Sequence, residues 1–240
     1  MKVRDLQAEL GKLANAQRKA ISQTFFKTGK GDYAEGDQFI GVSVPDIRKT
    51  VKNFRELALS DVFRLLQSKI HEERLAALVL LVTQFENGDA QKRKTIFDQY
   101  LAHTAWINNW DLVDTSAPQI VGGFLFDTNR DVLLTLITSP VLWERSIAMV
   151  STLFFIRAGE TIWTTRLAQL VLTDTHDLMH KATGWMLREM GKRDEAALHA
   201  FLRMHAEHMP RTMLRYAIER LSPGERAQYL KKGSHFGFLL

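Results

Sequence analysis

Apolar residues recur along nearly the whole chain at i, i+3, i+4 and i+7, the period of an amphipathic helix. HEERLAALVLLVTQFE, VLWERSIAMVSTLFFI, HDLMHKATGWMLREMG and RTMLRYAIERL all show it. The pattern breaks at ENGD, DTNRD, TSP, RAGE, TDTHD and SPGE. These short clusters of Gly, Asn, Asp, Ser and Pro are what caps and joins helices. Strand-like alternation has one candidate, FIGVSVP from Phe39 to Pro45, and it ends in a proline suited to a helix's first turn. The pattern predicts an all-α protein.

The helices recur. Arg74, Asn109, Arg145, Lys181 and Arg215 occupy similar places in successive segments. The interval is roughly 35 residues, the size of a helix-pair repeat. Partner helices fall between them, among them SDVFRLLQSK, RDVLLTLITS and EAALHAFLRMHA. The expected fold is an α-solenoid of stacked helical pairs, with an irregular helical bundle as the alternative. It forms one curved domain over 1–240, with an N-terminal helix and loop at 1–43 and repeats at 44–240. One helix of each pair then lines a concave face, which would set Trp110, Asp114, Arg145, Lys181 and Trp185 along one groove.

Composition narrows the setting. The absence of cysteine excludes disulfides and thiolate chemistry. The N-terminus MKVRDLQAELGKLANAQRKAI is charged throughout, unlike a secretory signal, and LAALVLLV is too short to span a bilayer. A cytoplasmic protein is expected. The net charge of +5 suits a polyanion such as nucleic acid, and equally a merely basic soluble protein.

The most unusual stretch is WINNWDLVDTSAP, Trp106 to Pro118. Read as a helix, it places Trp110 and Asp114 one turn apart, an indole beside a carboxylate. Trp106, Trp143 and Trp163 are assigned to packing, Arg74 and Arg215 to surface charge, and Asp111 to a structural or helix-start role. HDLMH, His176 to His180, has the spacing of a zinc motif but has Asp177 where the general base Glu should be, and lacks a third ligand. KTGKGD lacks the spacing of a phosphate-binding loop.

In order along the chain, GVSVPDIRK, NWDLVD, LWERSIA and HKATGWMLREMGK resemble motifs of the AlkD-type HEAT-like repeat DNA glycosylases, the DNA alkylation repair family. The resemblance implies excision of cationic N3- or N7-alkylated purines from duplex DNA by hydrolysis of the N-glycosidic bond, without a deep base-flipping pocket. It implies catalytic Asp114, Trp110 and Trp185, and DNA contacts from Arg145, Lys181 and Arg188. It implies a monofunctional, monomeric enzyme with no cofactor or metal, nucleoid-associated when bound to DNA. The family's early aromatic helix corresponds here to FFKTGKGDYAEGDQFIGV, where Phe25, Phe26 and Tyr33 all remain open for the aromatic position. The plainer reading of that loop is a surface connection with Phe25 and Phe26 buried at a helix end. Two rivals stand beside the glycosylase: a non-catalytic binder of damaged or branched DNA on the same fold, and a protein-binding helical-repeat scaffold.

Overall fold

The computed structural model describes residues 2–231, and every element among them is helical apart from an isolated bridge between Gln38 and Ile70. The chain divides into two compact units, Met1–Asp127 and Thr128–Leu240.

The first unit holds α1 (Val3–Lys12), α2 (Ala16–Phe25), α3 (Val44–Val51), α4 (Leu59–Leu66), α5 (His71–Glu86), α6 (Ala90–Ala102), α7 (Trp110–Ala117) and the one-turn α8 (Gly123–Leu125). The segment before residue 44 thus contains two helices where one was expected. α5 is the centre of the unit, with almost every side chain from His71 to Leu81 buried. It packs on α3, α4, α6 and α7. Pro118 ends α7 by removing an amide donor, and the chain continues as a π-helical turn, Pro118–Gly122. The FIGVSVP strand candidate is extended chain leading into α3, which Ser43 caps and Pro45 opens. Gly41 in that chain has φ +81, and a Cβ there would lie 2.1 Å from the Asn15 carbonyl, so only glycine fits.

The second unit holds α9 (Asp131–Ile137), α10 (Leu142–Arg157), α11 (Ile162–Leu170), α12 (Asp177–Gly191), α13 (Glu195–His205), α14 (Arg211–Ala217) and α15 (Pro223–Leu230). Within it, α10 packs on the preceding α9 and on α12, and α12 packs on the preceding α11 and on α14. That stacking of one pair on the next is the α-solenoid pattern. Gly184 allows the close approach of α12 and α14, since a Cβ there would meet the Met213 carbonyl at 2.5 Å.

The two units share a motif, S-x-[I/V]-x-x-E-R, at Ser68–Arg74 and again two repeats later at Ser139–Arg145. In both, the serine hydroxyl donates to the glutamate at 2.5 Å and accepts an amide from the residue two further on at 3.0 Å. In both, the arginine donates to the serine carbonyl, at 3.0 and 2.9 Å. Each motif braces the turn into a long buried helix, α5 or α10, and satisfies polar groups that the helix start would leave orphaned.

Candidate active site

The buried Asn109 accepts the Trp110 amide at 2.9 Å and so starts α7 at Trp110. WINNWDLVD is therefore not one helix. Trp106 sits in a separate 3-10 turn and is 37% exposed, a correction to its assignment to packing. Trp143 is buried as expected, and Trp163 is half-buried, with the Arg166 guanidinium 4.7 Å over its ring.

Trp110 and Asp114 do share a face of α7, one turn apart. Phe26 stacks on the Trp110 indole at 5.4 Å and 25°, and Phe25 meets it edge-on at 5.9 Å. Phe25 is 62% exposed and Phe26 half-buried, so the reading of both as buried at a helix end is corrected. The chain after them turns sharply at Lys27, whose φ is 51. The stack continues from Phe26 to Phe39 at 5.2 Å and from Phe39 to His71 at 4.6 Å.

Beneath this platform lies a buried charge network. His71 places Nδ1 3.1 Å from Asp37 and Nε2 2.8 Å from Asp111. Arg74 donates to Asp37 at 2.8 Å, as does Asn108 at 3.2 Å. Arg74 is only 2% exposed, which overturns its reading as surface charge; Arg215 is exposed as expected. Burial pushes the Asp37 carboxyl up, but its bonds to His71 and the Arg74 charge outweigh burial and hold it below the usual carboxylate range.

Asp114 is the contrast. It is half-buried, with no hydrogen bond to its carboxylate from the described residues. Burial, with a smaller push from the Asp111 charge, raises its pKa to about 7. A half-buried carboxylate beside an aromatic platform is thus poised near neutrality, where proton exchange and charge stabilisation are both possible.

The other expected site residues lie in the second unit, each already engaged there. Arg145 pairs with Asp174 through Nε at 2.7 Å and donates Nη1 to the Ser139 and Pro140 carbonyls. That commitment braces the turn into α10 and leaves the Arg145 side chain 16% exposed. Lys181 pairs with Asp177 at 2.8 Å, and Arg188 with Glu219 and Glu189. Trp185 donates its indole N–H to Glu189 at 3.2 Å and, with Leu153 and Ile156, walls a cavity of about 270 Å³. Arg157, Lys192 and Arg193 line it too, cations absent from the sequence expectation.

The histidines of HDLMH have separate duties. His176 caps α12 through the Leu178 amide, and His180 Nε2 lies 2.5 Å from the Asp174 carbonyl. Among the described residues, metal-ligand spacing occurs at Glu195, His199 and Glu225, an ion-pair cluster at the surface.

An all-helical repeat protein with this platform invites comparison with known families. The DNA alkylation repair enzyme family matches residues 6–221, nearly the whole chain, and the protein belongs to that family. Among solved structures it is similar to a predicted DNA alkylation repair enzyme from Enterococcus faecalis, with a TM-score of 0.68 and 15% identity over 88% of this chain and 97% of that one. That likeness is one of fold. A comparison with curated proteins found no match.

Proposed function

We propose that the protein is a monofunctional DNA glycosylase that hydrolyses the N-glycosidic bond of cationic N3- or N7-alkylated purines in duplex DNA. The observation that carries this reading is the half-buried carboxylate of Asp114, with its raised pKa, on the helix face that also presents Trp110.

An alkylated purine already bears positive charge, so it leaves without protonation by the enzyme. The C1′–N bond breaks and its electron pair goes to the base, which departs neutral. Charge develops on the sugar, and an anionic Asp114 stabilises it in a site of low polarity. Water adds to C1′ and gives up a proton to the Asp114 carboxylate. The raised pKa suits that second step, since a carboxylate with a pKa of about 7 is a stronger base than an ordinary one. The face of Trp110 adds cation–π attraction worth roughly 0.5–2 kcal/mol. Phe26 holds that indole, so Phe26 and Phe25 fill the aromatic position left open in the sequence. In the second unit, Trp185 with Arg157, Lys192 and Arg193 contacts the sugar-phosphate backbone, and Lys181 and Arg188 add sequence-independent attraction. The protein acts as a monomer and draws no base into a deep pocket.

The test is release of 7-methylguanine from duplex DNA by wild type and Asp114→Asn, with DNA binding followed in parallel. Loss of release by roughly 10²-fold or more with binding retained is expected. No release by wild type, with salt-dependent binding intact, would instead indicate a non-catalytic DNA binder. Neither release nor binding would indicate a protein scaffold.

A further inference from the structure

Both ring nitrogens of His71 face carboxylates, Asp37 at 3.1 Å and Asp111 at 2.8 Å. An ionised carboxylate offers only acceptors, so both contacts are hydrogen bonds only if both nitrogens carry protons. The ring is 2% exposed, which leaves no water to substitute for either partner.

The charges then balance. Asp37 faces Arg74 and Asn108 as well as His71, so its charge is compensated even without the imidazole. Asp111 bonds to His71 and to the Leu112 amide, and the imidazolium is its cationic partner. Asp111 stands three residues before Asp114 on α7, within reach of its field. Removing the His71 charge would leave a bare anion beside Asp114.

We propose that His71 is a positioning residue for Asp114: a buried imidazolium that cancels the charge of Asp111 and so lets Asp114 take its anionic form. This deepens the glycosylase reading and rests on it for Asp114's role. The groups facing the ring come from every neighbouring element. Arg74 lies 3.5 Å away on α5, Asp37 comes from the loop before α3, and Asp111 from α7. Phe26 and Phe39 contribute rings. Glu72 and Glu73 are turned elsewhere, to the amides of Ile40, Gly41 and Val42 and to Gln7 and Ser68. Burial pulls the imidazole toward neutrality, but its bonds to Asp111 and Asp37 outweigh burial and hold the group above the usual histidine value.

Carboxyl ¹³C titration of Asp114 in wild type, His71→Gln, Asp111→Asn and the double variant tests this, with ring ¹⁵N shifts of His71 in the wild type. Wild type should titrate near pH 7. His71→Gln should raise that midpoint by about one unit and Asp111→Asn lower it. The double variant should return toward the wild-type midpoint, because both members of the ion pair and their opposed fields on Asp114 are then gone. The ¹⁵N shifts at pH 6 should show both ring nitrogens protonated. A neutral ring at pH 6, an unchanged midpoint in folded His71→Gln, or an upward shift surviving in the double variant would overturn the proposal. The wild-type ring shifts decide the matter if His71→Gln does not fold. None of these readouts needs base release, so a confirmed pairing with no release from any variant would remove the glycosylase reading alone.

Discussion

The starts of α5 and α10 are built on one plan and put to different uses. Each has the serine, the glutamate and the arginine of the brace, and each arginine is tied to an aspartate, Asp37 or Asp174. Between serine and arginine the two part. Where the second copy has Leu142 and Trp143, the first has His71 and Glu72. The second copy fills its core with the buried Trp143. The first spends the same two positions on a doubly bonded imidazole and on a carboxylate that binds a loop. One turn geometry thus packs a core in one unit and supports the charged floor of a candidate site in the other.

That comparison can be broken or sharpened by measurement. The largest effect is expected from Arg74→Ala, which strands the buried Asp37 and should cost about 3–5 kcal/mol in urea unfolding. Arg145→Ala leaves a pair nearer water and should cost roughly 1–3 kcal/mol; equal losses would erase the distinction between the braces. Next is His71→Leu, which gives the first brace the residue of the second. It should destabilise by roughly 2–3 kcal/mol at pH 6. A group whose pKa is raised by folding stabilises fully below its unfolded value and loses that contribution as pH climbs through the folded one. The deficit of His71→Leu should therefore shrink as the buffer is made alkaline.

Asp114 shifts stability with pH in the same sense, but as a cost of its ionised form. Its folded pKa of about 7 exceeds the ordinary aspartate value of 3.8, so the native state binds the extra proton and stability falls as pH rises between those values. Asp114→Asn should be more stable than wild type by on the order of 1–3 kcal/mol at pH 8 and equal to it at pH 3. Base release by wild type should run the other way, rising with pH through about 7 as the carboxylate forms. The smallest effect is expected in the second unit. Arg193→Ala should weaken DNA binding about 3–10-fold and lower the slope of log affinity against log salt by about 1.

The period of apolar residues revealed the helices, and the interval between them revealed the repeat, because both follow from burying one face of each helix. The polar clusters marked real junctions: Asp89, His176 and Ser222 each cap a helix. What the period could not show was polar pairing across long separations. Arg74 reads as surface charge until Asp37 is placed against it, and the loop holding Asp37 has no periodicity to betray its course. Trp106 and Trp110 look like members of one helix because nothing local tells that Asn109 turns inward to cap. Asp114 was legible from its spacing to Trp110. Its raised pKa was not, since that depends on the burial the fold imposes and on the charge of Asp111 beside it.

The loop that backs the aromatic platform has no regular structure of its own. The chain from Lys27 to Ser43 is tied to α5 by the Gln38–Ile70 bridge, by Asp37, and by Glu72, which receives the amides of Ile40, Gly41 and Val42. Those amides have a carboxylate to bind only once α5 has formed. In folding terms the loop is a late, dependent unit that α5 must template, and Phe39 stacks on Phe26 and His71 only when it docks. The loop is then the last part of the first unit to assemble and the first to open. Amide exchange at residues 40–42 would report its opening while the core of α5 stays protected.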